Sequence, residues 1–163
     1  MNKIRGAEWR YLTMSMIAAL LLAVCPLPEA WRSVRPEFVM LVMVYWALML
    51  PQRVGLGVAC ITGILLDGLR VCSFGQNALA MIFVVYLVQL MHRRIRMFSL
   101  VQQSLFVGAL SLVYLVINHA VYVVAGYHSV SSIQLLYPVL GNMMLWPVLC
   151  GLLSPSKQHF AFT

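Results

Sequence analysis

The sequence predicts an all-α, polytopic membrane protein, a compact bundle of six transmembrane helices. Three observations carry that expectation. The first is composition: of 163 residues, 63% are hydrophobic and 9% charged, and the mean hydropathy is +0.91. Soluble domains average ~25% charged residues. At this length little remains for a soluble domain, so residues 1–163 read as a single integral membrane domain. The second is pattern: the apolar runs are continuous, whereas the strands of a membrane barrel alternate in polarity, so helices are the way to satisfy the backbone in lipid. The third is charge placement. The net charge of +7 and pI of about 9.6 would point to nucleic acid in a soluble protein. Here the positive-inside rule accounts for them, and no nucleic-acid partner is expected.

The first span covers residues 11–27, behind the basic residues Lys3, Arg5 and Arg10. A basic start before an apolar run is also the form of a signal peptide. No small-x-small cleavage site precedes Pro26-Leu27-Pro28, so an uncleaved helix is expected. Trp31 follows as an interfacial anchor. The second span covers residues 37–50, with Pro36 suited to its first turn, Glu37 near its positive dipole end, and Tyr45-Trp46 deep in the run. Pro51-Gln52-Arg53 makes a tight turn. The third span, residues 54–69, is short against the ~20 residues that a crossing needs. The fourth, residues 74–91, opens on Ser73-Phe74-Gly75-Gln76, which has capping-box spacing.

The densest charge cluster comes next, His92-Arg93-Arg94-Ile95-Arg96, followed by a mixed linker over residues 97–103. The fifth span, residues 104–125, carries Ser104, Gly108, Ser111, Leu115, Asn118 and Tyr122 at alternating spacings of four and three, the mark of a bundle-facing seam. The sixth, residues 133–153, is interrupted by Pro138 and Pro147. Six spans with the N-terminus inside place Lys3, Arg5, Arg10, Arg53, Arg93, Arg94, Arg96 and Lys157 in the cytoplasm, 8 of the 11 basic residues. Arg32, Arg35 and Arg70 fall outside. Both termini are therefore expected in the cytoplasm.

The third span holds the most informative pattern. Asp67 is the only acidic residue after Glu37, and Gly63, Ala59 and Gly55 precede it at intervals of four. Residues four apart share one helix face. Small residues there let a second helix come close, and an ionisable group in lipid turns toward protein or water. The stripe Gly55, Ala59, Gly63 and Asp67 is thus a candidate seam, within the chain or toward a partner. Asp67 itself reads as a structural carboxylate, hydrated or paired with Arg70, because a proton relay normally uses more than one intramembrane acid.

Asn118, His119 and Asn142 read as hydrogen bonds between helices, with Asn142 expected to satisfy a carbonyl freed by proline. The competing reading is a solute cavity in a binding or transport subunit. Arg93, Arg94 and Arg96 set the topology and offer a contact for a cytoplasmic partner or anionic lipid. Cys25, Cys60, Cys72 and Cys150 form no Cys-x-x-Cys pair, so no metal site is expected. A Cys25–Cys72 disulfide would need both on the oxidising side, and small apolar thiols are the expected state. Nucleophile–base sets and phosphate loops are missing from the sequence, so neither catalysis nor a cofactor is expected.

Three segments together resemble the MreD family of bacterial rod shape-determining proteins. They are Arg35-Pro36-Glu37 leading to Tyr45-Trp46-Ala47 and Leu50-Pro51-Gln52-Arg53; Gly63-Ile64-Leu65-Leu66-Asp67 with Phe74-Gly75 and Ala78-Leu79-Ala80 behind it; and Asn142-Met143-Met144-Leu145-Trp146-Pro147. Order, spacing and length agree over nearly the whole chain. Departures are Glu37, where the family usually has Asp or Asn, and Arg70-Val71, where it often has Ser-Gly. The resemblance implies a non-enzymatic part of the cell-elongation machinery in the inner membrane. It implies binding to an MreC-like single-span protein and, indirectly, to actin-like MreB and the peptidoglycan synthase complex. It also implies a fold similar to the substrate-binding subunits of energy-coupling-factor transporters.

Overall fold

The computed structural model describes residues 2–25, 36–70, 75–126 and 136–153, with the backbone alone for residues 2–9. Six helices make up the described residues: α1 Asn2–Val24, α2 Phe38–Met49, α3 Leu56–Arg70, α4 Gln76–Ile95, α5 Leu100–Val124 and α6 Leu136–Leu153. The fold is all-helical, as the continuous apolar runs require. Three of the helices, α4, α5 and α6, are long and apolar enough to cross a membrane. Their outward faces carry Leu79, Phe83, Leu105, Val116, Met144 and Leu152 in exposed positions. Such surfaces suit lipid, where apolar side chains need no burial in protein.

The centre of the bundle is α2. All ten residues from Val39 to Leu48 are buried, against α1, α4, α5 and α6. A helix of 12 residues is about 18 Å long at 1.5 Å per residue, well short of a hydrocarbon core of ~30 Å. Enclosure by protein removes the need to match that thickness. Around it, α3 packs on α4, α4 on α5 and α5 on α6, and α1 closes against α2 and α3. Tyr45 and Trp46, 5.6 Å apart in an edge-on pair, anchor the core. The Trp46 indole N–H donates to Ser15 Oγ of α1 at 2.8 Å. The Tyr45 hydroxyl donates to the Leu153 carbonyl of α6 at 3.0 Å.

These bonds also set which helix ends lie together. Gln89 near the end of α4 donates to the Val54 carbonyl at 3.0 Å. The turn after α2, the end of α4 and the end of α6 therefore share one end of the bundle. Arg53, Arg93, Arg94 and Arg96 belong to that end. Glu37, Asp67 and Arg70 belong to the other.

Several boundaries differ from the sequence expectation. The helix of the first span begins at Asn2, ahead of the apolar run. Pro36 precedes the cap of α2 and is not in its first turn; Glu37 is the cap residue. The capping box expected at Ser73 and Gln76 is replaced by Gly75 as cap of α4, with φ 92°, and Ser73 lies outside the described residues. The fourth helix runs to Ile95 through the basic cluster, and the fifth starts at Leu100, because a real capping box forms between Ser99 and Gln102. The sixth helix is continuous through Pro147, with Pro138 in its first turn. Arg35, Trp31, Arg32, Cys72 and Lys157 lie outside the described residues.

Candidate functional site

Asp67 sits near the end of α3 with 1% of its surface exposed. Just before α4, Gly75 takes a left-handed φ of 92° that favours glycine. The start of α4 faces the carboxylate. Asp67 Oδ2 accepts from the Gly75 N–H at 2.9 Å. Its Oδ1 accepts from the Asn77 N–H at 3.0 Å and from Asn77 Nδ2 at 2.7 Å. The first N–H groups of a helix have no partner within it, and a negative charge there is favoured by the helix dipole. Asp67 therefore supplies the capping acceptor for the start of α4 from the preceding helix. The expectation of a hydrated carboxylate or an Asp67–Arg70 pair is replaced by this buried cap.

The cap extends into α5. Asn77 Oδ1 accepts from the Tyr114 hydroxyl at 2.5 Å. Asn118 Nδ2 donates to the Tyr114 carbonyl, and Gln76 Nε2 to the Asn118 carbonyl, both at 3.0 Å. Arg70 turns instead to Glu37, with Nη2–Oε2 at 2.9 Å and Nη1–Oε1 at 3.2 Å. This two-pronged pair ties the end of α3 to the start of α2, and both side chains are largely buried.

Asn142 of α6 repeats the capping device. Its Oδ1 accepts the Glu37 N–H at 2.9 Å, and its Nδ2 donates to Ser111 Oγ of α5 at 2.9 Å. It caps α2 from a neighbouring helix and does not serve a proline-freed carbonyl. With both halves of its amide engaged, Asn142 offers nothing to the solute cavity weighed from the sequence. Asn118 and His119 are half-buried on α5.

The small-residue stripe resolves into unequal parts. A Cβ at Gly63 would lie 2.3 Å from Ala78 Cα, so α3 and α4 touch backbone to backbone there. Ala59 is fully buried. Gly55 has nothing near its would-be Cβ within 4 Å and precedes the helix. The side of α3 bearing Ala59, Gly63 and Asp67 is thus occupied by this chain's own α4. A second close contact, unforeseen in its partner, sets Gly108 of α5 against Met143 of α6, 2.6 Å from a would-be Cβ.

Of the remaining sequence candidates, Trp146 is buried and its ring lies 6.5 Å from that of Tyr45. Pro147 follows inside α6. Arg93, Arg94 and Arg96 are exposed at the far end. Sequence reading missed Asn77, Tyr114 and the Glu37–Arg70 pair, and it gave Gln76 a capping role where the side chain instead reaches Asn118 of α5. Tyr114 carries a usable signal, since Ser111, Tyr114 and Asn118 are spaced three and four along one face; Leu115, chosen for that seam, is only half-buried. Among the described residues, His, Cys, Asp and Glu form no group of three able to hold a metal ion.

The comparisons with known proteins agree with one another. No solved structure matches the chain. A rod shape-determining protein MreD from Haemophilus influenzae is 27% identical over 100 residues, a match spanning 61% of this chain and 62% of that protein. The profile of the family described as rod shape-determining protein MreD matches residues 4–155. With that match running through α1, both capping networks and α6, the chain belongs to the MreD family of rod shape-determining proteins.

Proposed function

We propose that this chain is a non-enzymatic scaffold of the bacterial cell-elongation machinery, held in the inner membrane with both termini in the cytoplasm. Its partner is an MreC-like protein with a single membrane span, through which it meets actin-like MreB and the peptidoglycan synthase complex. All six helices enter the membrane, in an arrangement like that of energy-coupling-factor substrate-binding subunits. The observation that carries the reading is where the interior polar groups go. Asp67, Asn77, Asn142, Ser111 and the Glu37–Arg70 pair all bond within the chain, holding helix starts to neighbouring helices. A scaffold needs such internal fastening, and a catalyst or carrier needs polar groups that face its substrate. The gathering of Arg53, Arg93, Arg94 and Arg96 at one end supports a cytoplasmic placement of that end.

Gly63 packs on α4, which leaves the outer side of the same helix pair as the surface proposed for the partner's span. An apolar groove of about 550 Å³ runs there, lined by Cys60, Ile64, Ala78, Leu79 and Phe83 among others. A photoreactive residue at position 83 is expected to cross-link the MreC-like span in native membranes, with position 112 on α5 as comparison. Cross-linking from 112 alone would move the interface to α5. No cross-link from either, with no co-purification, would sink the scaffold reading.

A further inference from the structure

The hairpin between α4 and α5 has a tightly fastened backbone and a set of exposed outward side chains. Three bonds wind the chain beyond Ile95: Arg96 N–H to the His92 carbonyl at 3.1 Å, Met97 N–H to Arg94 at 3.0 Å and Phe98 N–H to Ile95 at 3.1 Å. From α5, Gln103 Nε2 reaches back to the carbonyls of Ile95 and Phe98 at 3.1 and 3.2 Å. Ser99 and Gln102 cap the start of α5 reciprocally. Ile95 is fully buried beneath. The turn is therefore held in one shape.

Its outward side chains are Arg93, Arg94 and Arg96 beside Met97, Phe98 and Val101. Met97 is 87% exposed and Val101 79%. The three arginines make no ion pair among the described residues, and the chain has no acidic residue after Asp67. Topology and the negative end of the α4 dipole account for arginines here. They do not account for Met97 and Val101, which would be left in water beside them. Both flanking helices are long enough to span the membrane. At 25 residues, α5 is about 37 Å long, beyond a hydrocarbon core of ~30 Å, so its first turn reaches the headgroup layer.

We propose that this hairpin is a built anchor for anionic phospholipid. Arg93, Arg94 and Arg96 hold phosphate groups, which the planar guanidinium binds with two parallel hydrogen bonds. Met97 and Val101 lie at the boundary between headgroups and acyl chains of the same lipids. An acidic protein segment would match the charge but would leave those two side chains without a matching environment. The proposal is independent of the scaffold reading and needs only that α4 and α5 cross the bilayer.

The test is lipid retention by the purified full-length protein, read by native mass spectrometry after release from micelles containing phosphatidylglycerol or phosphatidylcholine. Wild type is expected to retain phosphatidylglycerol selectively, and the retained fraction to fall as salt rises. The triple variant R93Q/R94Q/R96Q is expected to lose on the order of a hundredfold in phosphatidylglycerol affinity, since each of the three basic residues near an anionic surface contributes roughly fivefold. Its phosphatidylcholine retention should not change. M97S/V101S is expected to lose a smaller part of the same selectivity. Equal retention of both lipids by wild type, or retention indifferent to salt, overturns the proposal even where a variant fails to fold. Unchanged lipid retention in the triple variant, with loss of a co-purifying cytoplasmic protein, overturns it in favour of a protein-docking surface.

Discussion

At the scale of single residues, Asp67 and Asn142 do the same work from different helices. Each is buried in its own helix and supplies the missing acceptor for another helix's first N–H groups. Asp67→Asn keeps the shape but turns one acceptor oxygen into a donor facing a donor. The expected loss is about 1–3 kcal/mol, the cost of leaving a buried polar group unsatisfied. Asp67→Ala removes all three bonds and should cost more. Melting temperatures in one detergent should fall in the order wild type, Asp67→Asn, Asp67→Ala, and a wild-type melting point for Asp67→Asn would show that water replaces the lost acceptor. The importance of Asp67 was legible from its isolation in an apolar run. Its partners were not, because they depend on how α4 starts at Gly75. The Glu37–Arg70 pairing lies still further from reach, since its residues meet only once α2 and α3 are placed.

At the scale of elements, the stripe on α3 separates positions that look alike in sequence. Gly55 and Gly63 share the spacing, yet only Gly63 touches a neighbour. Gly63→Ala puts a methyl group against the Ala78 backbone, which cannot rotate away as a side chain would. α3 must move off α4, at an expected cost of about 1–3 kcal/mol. Gly55→Ala meets open space and should stay within about 0.5 kcal/mol of wild type. Equal melting points for the two variants would contradict the close contact. The pair joining α2 to α3 makes a second test. Single and double alanine variants of Glu37 and Arg70 should show a coupling of about 1–2 kcal/mol, above the ~0.2–1 kcal/mol of an exposed pair. A coupling near zero would mean that the pair merely tolerates its position.

Helix existence was legible throughout, and helix limits were less so for an identifiable reason. Charge marks the end of an apolar run, but a helix continues until its capping groups are satisfied. The fourth helix therefore passes Met91 and carries His92, Arg93 and Arg94 in its last turn, where cations suit the dipole. The Ser99 capping box was visible as a Ser-x-x-Gln spacing, within a stretch assigned to linker on polarity alone.

At the scale of the whole molecule, the feature hidden from sequence is which helix lies inside. A soluble helix that is apolar on every face is buried, but in a membrane protein the same pattern also describes a helix bathed in lipid. Phe38–Met49 and Leu136–Leu153 are both strongly apolar, yet α2 is enclosed and α6 has an exposed apolar face. Length was the better clue, since 12 residues suit a helix sheltered by longer neighbours. The difference is measurable with one substitution in two places. Met43 of α2 is fully buried, and Met144 of α6 is 78% exposed. In a micelle the unfolded chain also keeps its apolar groups out of water, so shortening a methionine loses little transfer energy at either site. What remains is packing. Met43→Ala leaves a void that the surrounding helices cannot close, expected to cost about 2 kcal/mol, the low end for buried methionine. Met144→Ala leaves a gap that lipid fills and should change stability by less than about 0.5 kcal/mol. Thermal unfolding of both variants in one detergent decides it, and equal losses would mean that α2 is no more enclosed than its neighbours.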